Sequence, residues 1–308
     1  MEATNPVNPR PVSPISVRLV LGSGGIKPIA AVPLLTFLDR LGVTVDEIVG
    51  CSGGSVVAAL YATGLSGEEV RQIITRQLRP QLFGPIDPGA ALGALGFFAG
   101  VRSRRGLLRP DRIHAMYRDV FGTSRIEVLP RRLLLQATDF LTSQPAVLQA
   151  GPVAAALYAS TAAYPLLPPI ELDGRWLIDG AFSAPLPLHA SPRPARLTIA
   201  VSVSQTPTAG LPYRLIGLPD EPACASTSLA ANDGAEARLL VVRMPIARTV
   251  RWWDTHLLPE LLTAGERAVA QHAATIVAAL TSTGQSPGGA IQLCRPMPPS
   301  TTTVVPVT

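Results

Sequence analysis

The chain has 308 residues, of which 47% are hydrophobic, and a formal net charge of +5. This length can bury a large core, and no transmembrane helix is predicted because no apolar run reaches about 18 residues. The basic residues are not interleaved with aromatic residues as single-stranded nucleic acids require, and three scattered cysteines are too few for a disulfide framework or a zinc site. We therefore expect no nucleic-acid partner and neither a metal nor another cofactor.

The first quarter of the sequence alternates short apolar strands with helices. Ser16 to Leu21 is an apolar, β-branched run that predicts a buried strand, and residues 28–41 carry apolar side chains at helical spacing. A second short strand is predicted from Asp46 to Gly50, and a helix follows from Ser55 to Thr63. This order favours an α/β fold with a mainly parallel sheet.

The rest of the chain is less regular but carries further elements. In chain order, the predictions are a helix at 110–121, paired strands at Leu133–Asp139 and Ala146–Leu148, a helix at 152–159, a hairpin at 170–178, strands at Leu197–Val203 and Leu239–Val242, and an amphipathic helix at 256–281. The hairpin is expected to turn at Asp173-Gly174.

One main domain is predicted, from residue 15 to residue 295. A flexible arm at 1–14 precedes it, and a Pro/Thr-rich tail at 296–308 is expected to be disordered. Within the domain, the Pro-, Ser- and Ala-rich residues 205–236 are expected to form a surface excursion. The arm has no apolar segment of the secretory type, so we expect a cytoplasmic location.

A pentapeptide with serine at its centre, Gly50-Cys51-Ser52-Gly53-Gly54, follows the second predicted strand. The pattern G-x-S-x-G is typical of a sharp strand-to-helix turn that exposes a nucleophilic hydroxyl, and side chains beside the serine would clash there. Such a short pattern also occurs by chance, so an ordinary glycine-rich turn is the alternative. Its position between a strand and a helix favours Ser52 as a nucleophile.

A glycine-rich loop, Gly22-Ser23-Gly24-Gly25-Ile26-Lys27-Pro28, follows the first predicted strand. Successive small residues before a helix let backbone N–H groups point at an anion. The loop lacks both G-x-x-x-x-G-K-[ST] and G-x-G-x-x-G, so an oxyanion hole is favoured over a phosphate-binding loop. A turn that binds nothing is the remaining alternative.

An aspartate ends the fully apolar strand in Trp176-Leu177-Ile178-Asp179-Gly180-Ala181. An aspartate before glycine is common in turns, and Asp173-Gly174 is interpreted as one. Asp179 differs because an apolar strand would bury its carboxylate and raise its pKa, which makes it a better base.

A Ser-His-Asp triad is the competing arrangement, and the chain order would fit that of α/β-hydrolases. None of the three candidate histidines follows a strand in a glycine-flanked turn: His189, His256 and His272. A lone histidine is more often a surface or core residue than a catalyst. A serine–aspartate pair without histidine is therefore favoured, and no H-E-x-x-H pattern indicates a metal.

Together the three motifs resemble those of the patatin-like lipid acyl hydrolases, in the order found in that family and from about Val17 to His189. The stretches Gln136–Asp139 and Ala159–Ala162 look similar as well. The resemblance implies that Ser52 is the nucleophile and Asp179 its only base. It further implies that the oxyanion hole is formed by Gly24 and Gly25. The remaining motif positions would support the site: Gly22, Lys27, Gly50, Gly54, Gly180 and Ala181.

The resemblance also implies a three-layer patatin-like α/β fold, with a mainly parallel central sheet and helices on both faces. The implied activity is cleavage of fatty-acyl or other carboxylic esters of lipids through an acyl-serine, with peripheral contact to a membrane. Acyl transfer or thioester processing stays open, as does a non-catalytic lipid-binding or partner module. Ser23 and Pro28 depart from the glycines usual in the family's loop and leave the substrate preference open.

One apolar stretch, Gly84 to Gly100, has neither strand nor strong helix periodicity. It is expected to form a mobile cap that brings Phe97 and Phe98 to an acyl pocket. A buried core segment is the equal alternative.

Overall fold

The computed structural model describes residues 15–82, 106–203, 229–231, 238–244, 246, 250–251 and 254–281. The predicted arm at 1–14, the tail at 296–308 and the proposed cap at 84–100 lie outside these residues, as does most of the stretch 205–236. The domain boundaries drawn from the sequence therefore stay predictions.

A single sheet of nine strands organises the described part of the chain. The strands are β1 (Val17–Leu21), β2 (Glu47–Cys51), β3 (Arg132–Asp139), β4 (Pro145–Leu148), β5 (Ile170–Leu172), β6 (Arg175–Asp179), β7 (Leu197–Ser202), β8 (Leu229–Ala231) and β9 (Arg238–Arg243). Their order is β5-β6-β3-β2-β1-β7-β9-β8, and β4 also pairs with β3. Five adjacent strands of the sheet are parallel, namely β3, β2, β1, β7 and β9. The strands β4, β6 and β8 pair antiparallel with their neighbours.

The described helices are α1 (Val32–Arg40), α2 (Gly53–Ala62), α3 (Gly67–Gln77), α4 (Asp111–Phe121), α5 (Val153–Thr161) and α6 (Leu258–Thr281). A 3-10 turn, Lys27–Ala31, leads into α1, and Pro28 occupies one of its first positions, where a missing N–H group is tolerated. Within the described ranges, every helix is too short or too polar to cross a lipid bilayer.

Both faces of the sheet are buried. Alternate side chains of β1, such as Leu19 and Leu21, join the main core, to which each of the six helices contributes. The intervening Val20 belongs to a smaller cluster on the opposite face, against which Leu186 and Leu188 pack. Burial on both faces explains why the parallel strands are predominantly apolar and do not alternate strictly between apolar and polar residues.

The predicted fold class is confirmed: the chain forms an α/β fold with a mainly parallel central sheet and flanking helices. The strands predicted at Leu133–Asp139 and Ala146–Leu148 pair with each other. The hairpin predicted at 170–178 forms from β5 and β6 and has Asp173 and Gly174 at its turn.

Three parts of the structure differ from the sequence predictions. Residues 229–231, expected within a surface excursion, form β8 because they hydrogen-bond to β9 at that edge of the sheet. The helix predicted at 28–41 is α-helical only from Val32. The sequence prediction missed α3, although Ser66 and Glu69 form a reciprocal capping box at its start.

A buried ionic cluster joins the amino-terminal ends of β1, β2 and β3. Glu47 is only 5% exposed, and its carboxylate accepts hydrogen bonds from Arg18 Nε (2.5 Å), Arg132 Nε (2.7 Å) and Ser191 Oγ (2.9 Å). Arg18 also donates to the carbonyl of Arg193. Although burial acts to raise the pKa of Glu47, the hydrogen bonds and the charge of Arg18 hold it below its usual value.

Candidate active site

The ends of β2 and β6 meet on β3. The register pairs Cys51 with Gln136 of β3 and pairs Asp179 with the next residue, Ala137. Because β2 runs parallel to β3 and β6 runs antiparallel, their carboxyl ends approach each other from opposite directions. Ser52 directly follows Cys51, so this register brings Ser52 beside Asp179.

Ser52 occupies the turn between β2 and α2 in an unusual backbone conformation. Its φ is 52° and its ψ is −127°, a region that L-residues rarely adopt and that costs on the order of 1–3 kcal/mol. The residue is 8% exposed, and its Oγ donates a hydrogen bond of 2.6 Å to Asp179 Oδ2. A strained turn that directs a hydroxyl at a carboxylate matches the requirement for an activated serine.

Asp179 is buried and held at two points. Its Oδ1 accepts the N–H of Ala181 at 2.8 Å, and its own N–H donates to the carbonyl of Ala162 at 3.0 Å. Desolvation raises the pKa of Asp179 to about 6, although the hydrogen bonds from Ser52 and Ala181 act in the opposite direction. The carboxylate is therefore ionised at neutral pH, yet accepts a proton more readily than an exposed aspartate.

The glycine-rich loop touches the serine turn through its backbone. A Cβ atom at Gly53 would overlap the carbonyl oxygen of Gly25, and one at Gly54 would overlap that of Gly22. The backbone of the loop therefore lies directly against the serine turn, and the predicted donors Gly24 and Gly25 are part of this loop. Within the described residues, the N–H groups of Gly24 and Gly25 have no hydrogen-bond acceptor.

The other predicted loop positions are also fixed by short contacts. Ser23 donates its N–H to the carbonyl of Pro185 at 2.7 Å, and the N–H of Gly22 reaches the carbonyl of Val201 at 3.1 Å. Lys27 donates its N–H to the carbonyl of Gly24 at 3.2 Å, and the residue is only 4% exposed. This buried position favours anchoring of the loop over contact with a ligand in solvent.

The remaining motif glycines lie where another backbone segment comes close. A Cβ at Gly50 would lie 2.5 Å from the Cα of Ser55, and a Cβ at Gly180 would overlap the carbonyl oxygen of Gln136. The structure therefore brings the loop, the serine turn and the Asp179 segment into one region.

In the part of the chain that the structure describes, the hydrogen-bond partners of the Ser52 and Asp179 side chains do not include any of the three candidate histidines. His256 lies in the 3-10 turn Thr255–Leu257 that precedes α6, and not within the helix as the sequence prediction had it.

Sequence reasoning missed one polar residue of the site, Ser160 in α5. Its Oγ accepts the N–H of Ser52 at 3.2 Å and donates to the carbonyl of Gln136 at 2.6 Å. The stretch Ala159–Ala162 stood out by its family resemblance alone, and nothing in its composition indicated this contact.

Comparison with known proteins gives relatives that are named for the NTE family. An uncharacterized NTE family protein of Mycobacterium tuberculosis is 34% identical over 191 residues, which are 61% of this chain and 49% of the relative. A Meyerozyma guilliermondii protein named lysophospholipase NTE1 is 28% identical over 190 residues, 61% of this chain and 12% of the relative. The chain thus spans about half the length of the mycobacterial relative and much less of the yeast one.

A solved structure shares the fold. Human GIVD cytosolic phospholipase A2, in complex with methyl gamma-linolenyl fluorophosphonate, superposes with a TM-score of 0.50 over 87% of this chain and 58% of that chain, at 14% identity. The sequence model of the patatin-like phospholipases matches residues 19–191, which contain the loop, the serine turn and Asp179. Because this match covers more than half of the chain, the protein belongs to the patatin-like phospholipase family.

Proposed function

We propose that this protein hydrolyses carboxylic esters of lipids, with Ser52 as the nucleophile and Asp179 as the only base. The observation that carries the proposal is the 2.6 Å hydrogen bond from Ser52 Oγ to Asp179 Oδ2 at a strained strand-to-helix turn. Membership of the patatin-like phospholipase family and a relative named lysophospholipase support a lipid ester as the substrate.

The first half of the reaction forms an acyl-serine. Asp179 accepts the proton of the Ser52 hydroxyl as Oγ attacks the carbonyl carbon of the ester. The N–H groups of Gly24 and Gly25 stabilise the oxyanion, and each such donor contributes about 3–4 kcal/mol to transition-state stabilisation. The tetrahedral intermediate then expels the alcohol, which takes the proton from Asp179.

The second half releases the acid. Asp179, again ionised, removes a proton from water as the water oxygen attacks the acyl-serine carbonyl. The same two N–H groups stabilise the second oxyanion. Collapse breaks the bond to Ser52 Oγ, which recovers the proton from Asp179, and a carboxylic acid leaves.

Covalent labelling tests the assignment of the nucleophile. An uncharged alkyl fluorophosphonate should add to Ser52, and mass spectrometry of the digested protein should place the adduct there. The Ser52→Ala variant should stay unlabelled, whereas Ser66→Ala, which changes a partly exposed serine at the start of α3, should be labelled like the parent. An adduct on Ser55, or turnover without any adduct, would contradict the proposal.

Product analysis tests the acyl acceptor. A neutral ester, a lysophospholipid and an acyl thioester, each offered with and without an added primary alcohol or amine, should yield the free acid in every reaction that proceeds. Transfer of most acyl groups to the alcohol or amine would identify a transferase. Absence of both phosphonate labelling and turnover of any ester would instead favour the binding-module alternative.

The pH dependence of turnover tests the base. Asp179 must be ionised to accept the serine proton, and its pKa is raised to about 6. We expect kcat to be constant above about pH 7 and to fall about tenfold per pH unit below about pH 6, because only the ionised fraction is active. Circular dichroism at each pH would verify that the protein stays folded. An acid limb near pH 4 would show that the active base is not this buried carboxyl.

A further inference from the structure

The last turn of α5 lies against the serine turn and β3. Ser160, in this turn, has no exposed surface, and its hydroxyl makes two hydrogen bonds outside its own helix. It donates to the carbonyl of Gln136 at 2.6 Å and accepts the N–H of Ser52 at 3.2 Å. One hydroxyl therefore joins α5, β3 and the turn that carries Ser52.

This use of a helical hydroxyl is not the ordinary one. Serine and threonine side chains inside helices often bond to a carbonyl of the preceding turn, and the neighbouring Thr161 does so with Leu157 at 2.8 Å. Ser160 instead bonds to Gln136, which lies 24 residues earlier in the chain. Because the hydroxyl proton is committed to that carbonyl, the oxygen lone pairs are left to accept the N–H of Ser52.

The same turn also holds the second member of the pair. The N–H of Asp179 donates to the carbonyl of Ala162, the residue that directly follows α5. Thr161 lies between the two anchor points, and its Oγ1 is 3.1 Å from the hydroxyl of Tyr117 in α4. The positions of Ser52 and Asp179 are thus both set by one helical turn that is fixed on a second helix.

The strained backbone of Ser52 makes this anchoring consequential. A φ of 52° persists only where surrounding contacts determine it, and the Ser52 N–H group is buried. Without an acceptor, this N–H would be unsatisfied, and the turn would gain by relaxing toward an ordinary conformation. Such a relaxation would move Oγ away from Asp179.

We infer that Ser160 is a positioning residue for the nucleophile, a role that rests on the function proposed for Ser52 and Asp179. Ser160 does not react itself, because its oxygen is buried and its proton is engaged by a backbone carbonyl. Its hydroxyl holds the Ser52 backbone in the conformation that aims Oγ at Asp179.

Two variants test this role. Ser160→Ala removes both hydrogen bonds, and Ser160→Cys has a similarly shaped, slightly larger side chain but replaces the oxygen by sulfur, a weak acceptor. We expect kcat on a neutral ester to fall about 100-fold in each, since a misplacement of about 1 Å has that effect. KM should change less than about twofold, and the rate of phosphonate labelling of Ser52 should fall in parallel with kcat.

Thr63→Ala is the control, because it removes a partly buried hydroxyl at the other end of α2, where it donates to the carbonyl of Leu60 at 2.7 Å. This control should lose stability but keep kcat per folded molecule. An unchanged kcat and labelling rate in folded Ser160→Ala or Ser160→Cys would overturn the inference. A parent protein that shows neither labelling nor turnover would instead contradict the proposed function, so the two failures are distinguishable.

Discussion

Replacement of Asp179 by asparagine should lower kcat by about 10³- to 10⁴-fold while it makes the folded protein more stable at neutral pH. The loss of activity follows because an amide cannot accept the proton of Ser52, and general bases contribute effects of this size. The gain in stability follows because Asp179 is a buried carboxylate, only 4% exposed.

The direction of the stability change comes from the pKa. In the folded protein burial raises the pKa of Asp179 from 3.8 to about 6, so the protonated form stabilises the fold at low pH. That stabilisation is complete below about pH 4 and is lost as the pH rises through about 6. Above pH 7 the parent protein carries a penalty of about 3 kcal/mol that asparagine avoids.

Urea unfolding at pH 5, 6, 7 and 8 would measure this effect. The difference in unfolding free energy between Asp179→Asn and the parent should increase across this series and level off above about pH 7. Asp173→Asn is the control, because Asp173 lies exposed at a turn with a φ of 50° that asparagine tolerates. If Asp179→Asn were less stable than the parent at pH 8, the desolvation account of this carboxylate would be wrong.

Replacement of Glu47 by alanine should destabilise the fold by about 3–5 kcal/mol, since it leaves Arg18 and Arg132 without their shared buried partner. The Ser191 hydroxyl would lose its acceptor as well. The pKa of Glu47 is held below its usual value, so its contribution is present above the ordinary pKa and is lost as the pH falls through the folded-state value.

Urea unfolding at pH 7 measures the size of this effect. Glu266→Ala is the matched control, because it breaks an exposed ion pair with Arg71, and exposed pairs contribute about 1 kcal/mol or less. The two variants should therefore differ by several kilocalories per mole. Equal, small effects would mean that solvent or rearranged side chains compensate both arginines in the Glu47 variant.

The parts of the site that the sequence could indicate are those where chemistry restricts the residue type locally. Ser52 lies in a turn that needs glycine neighbours, and Asp179 ends an apolar strand before glycine, so both could be found by reading a few residues. Ser160 could not, because it lies 108 residues from Ser52 and its two partners are backbone groups. Backbone partners leave no trace in residue types.

The same contrast between local residue types and distant partners holds for the elements of the fold. The strands β1, β2 and β7 are buried on both faces and could be read as apolar runs. The three-residue β8 could not, because its place in the sheet comes from pairing with β9 and not from its own composition. The helix α3 was missed because its apolar positions are few, although the capping box of Ser66 and Glu69 marks its start in the sequence.

Asp179 lies at the end of the hairpin of β5 and β6, at the edge of the sheet. This hairpin pairs with β3 at only three positions, whereas β1, β2, β3, β7 and β9 form a continuous parallel core. A local opening that detaches the hairpin separates Asp179 from Ser52 but leaves that core paired. If Asp179 is the base proposed above, we expect turnover to be lost when this hairpin detaches, while the far-ultraviolet circular dichroism of the parallel core is kept.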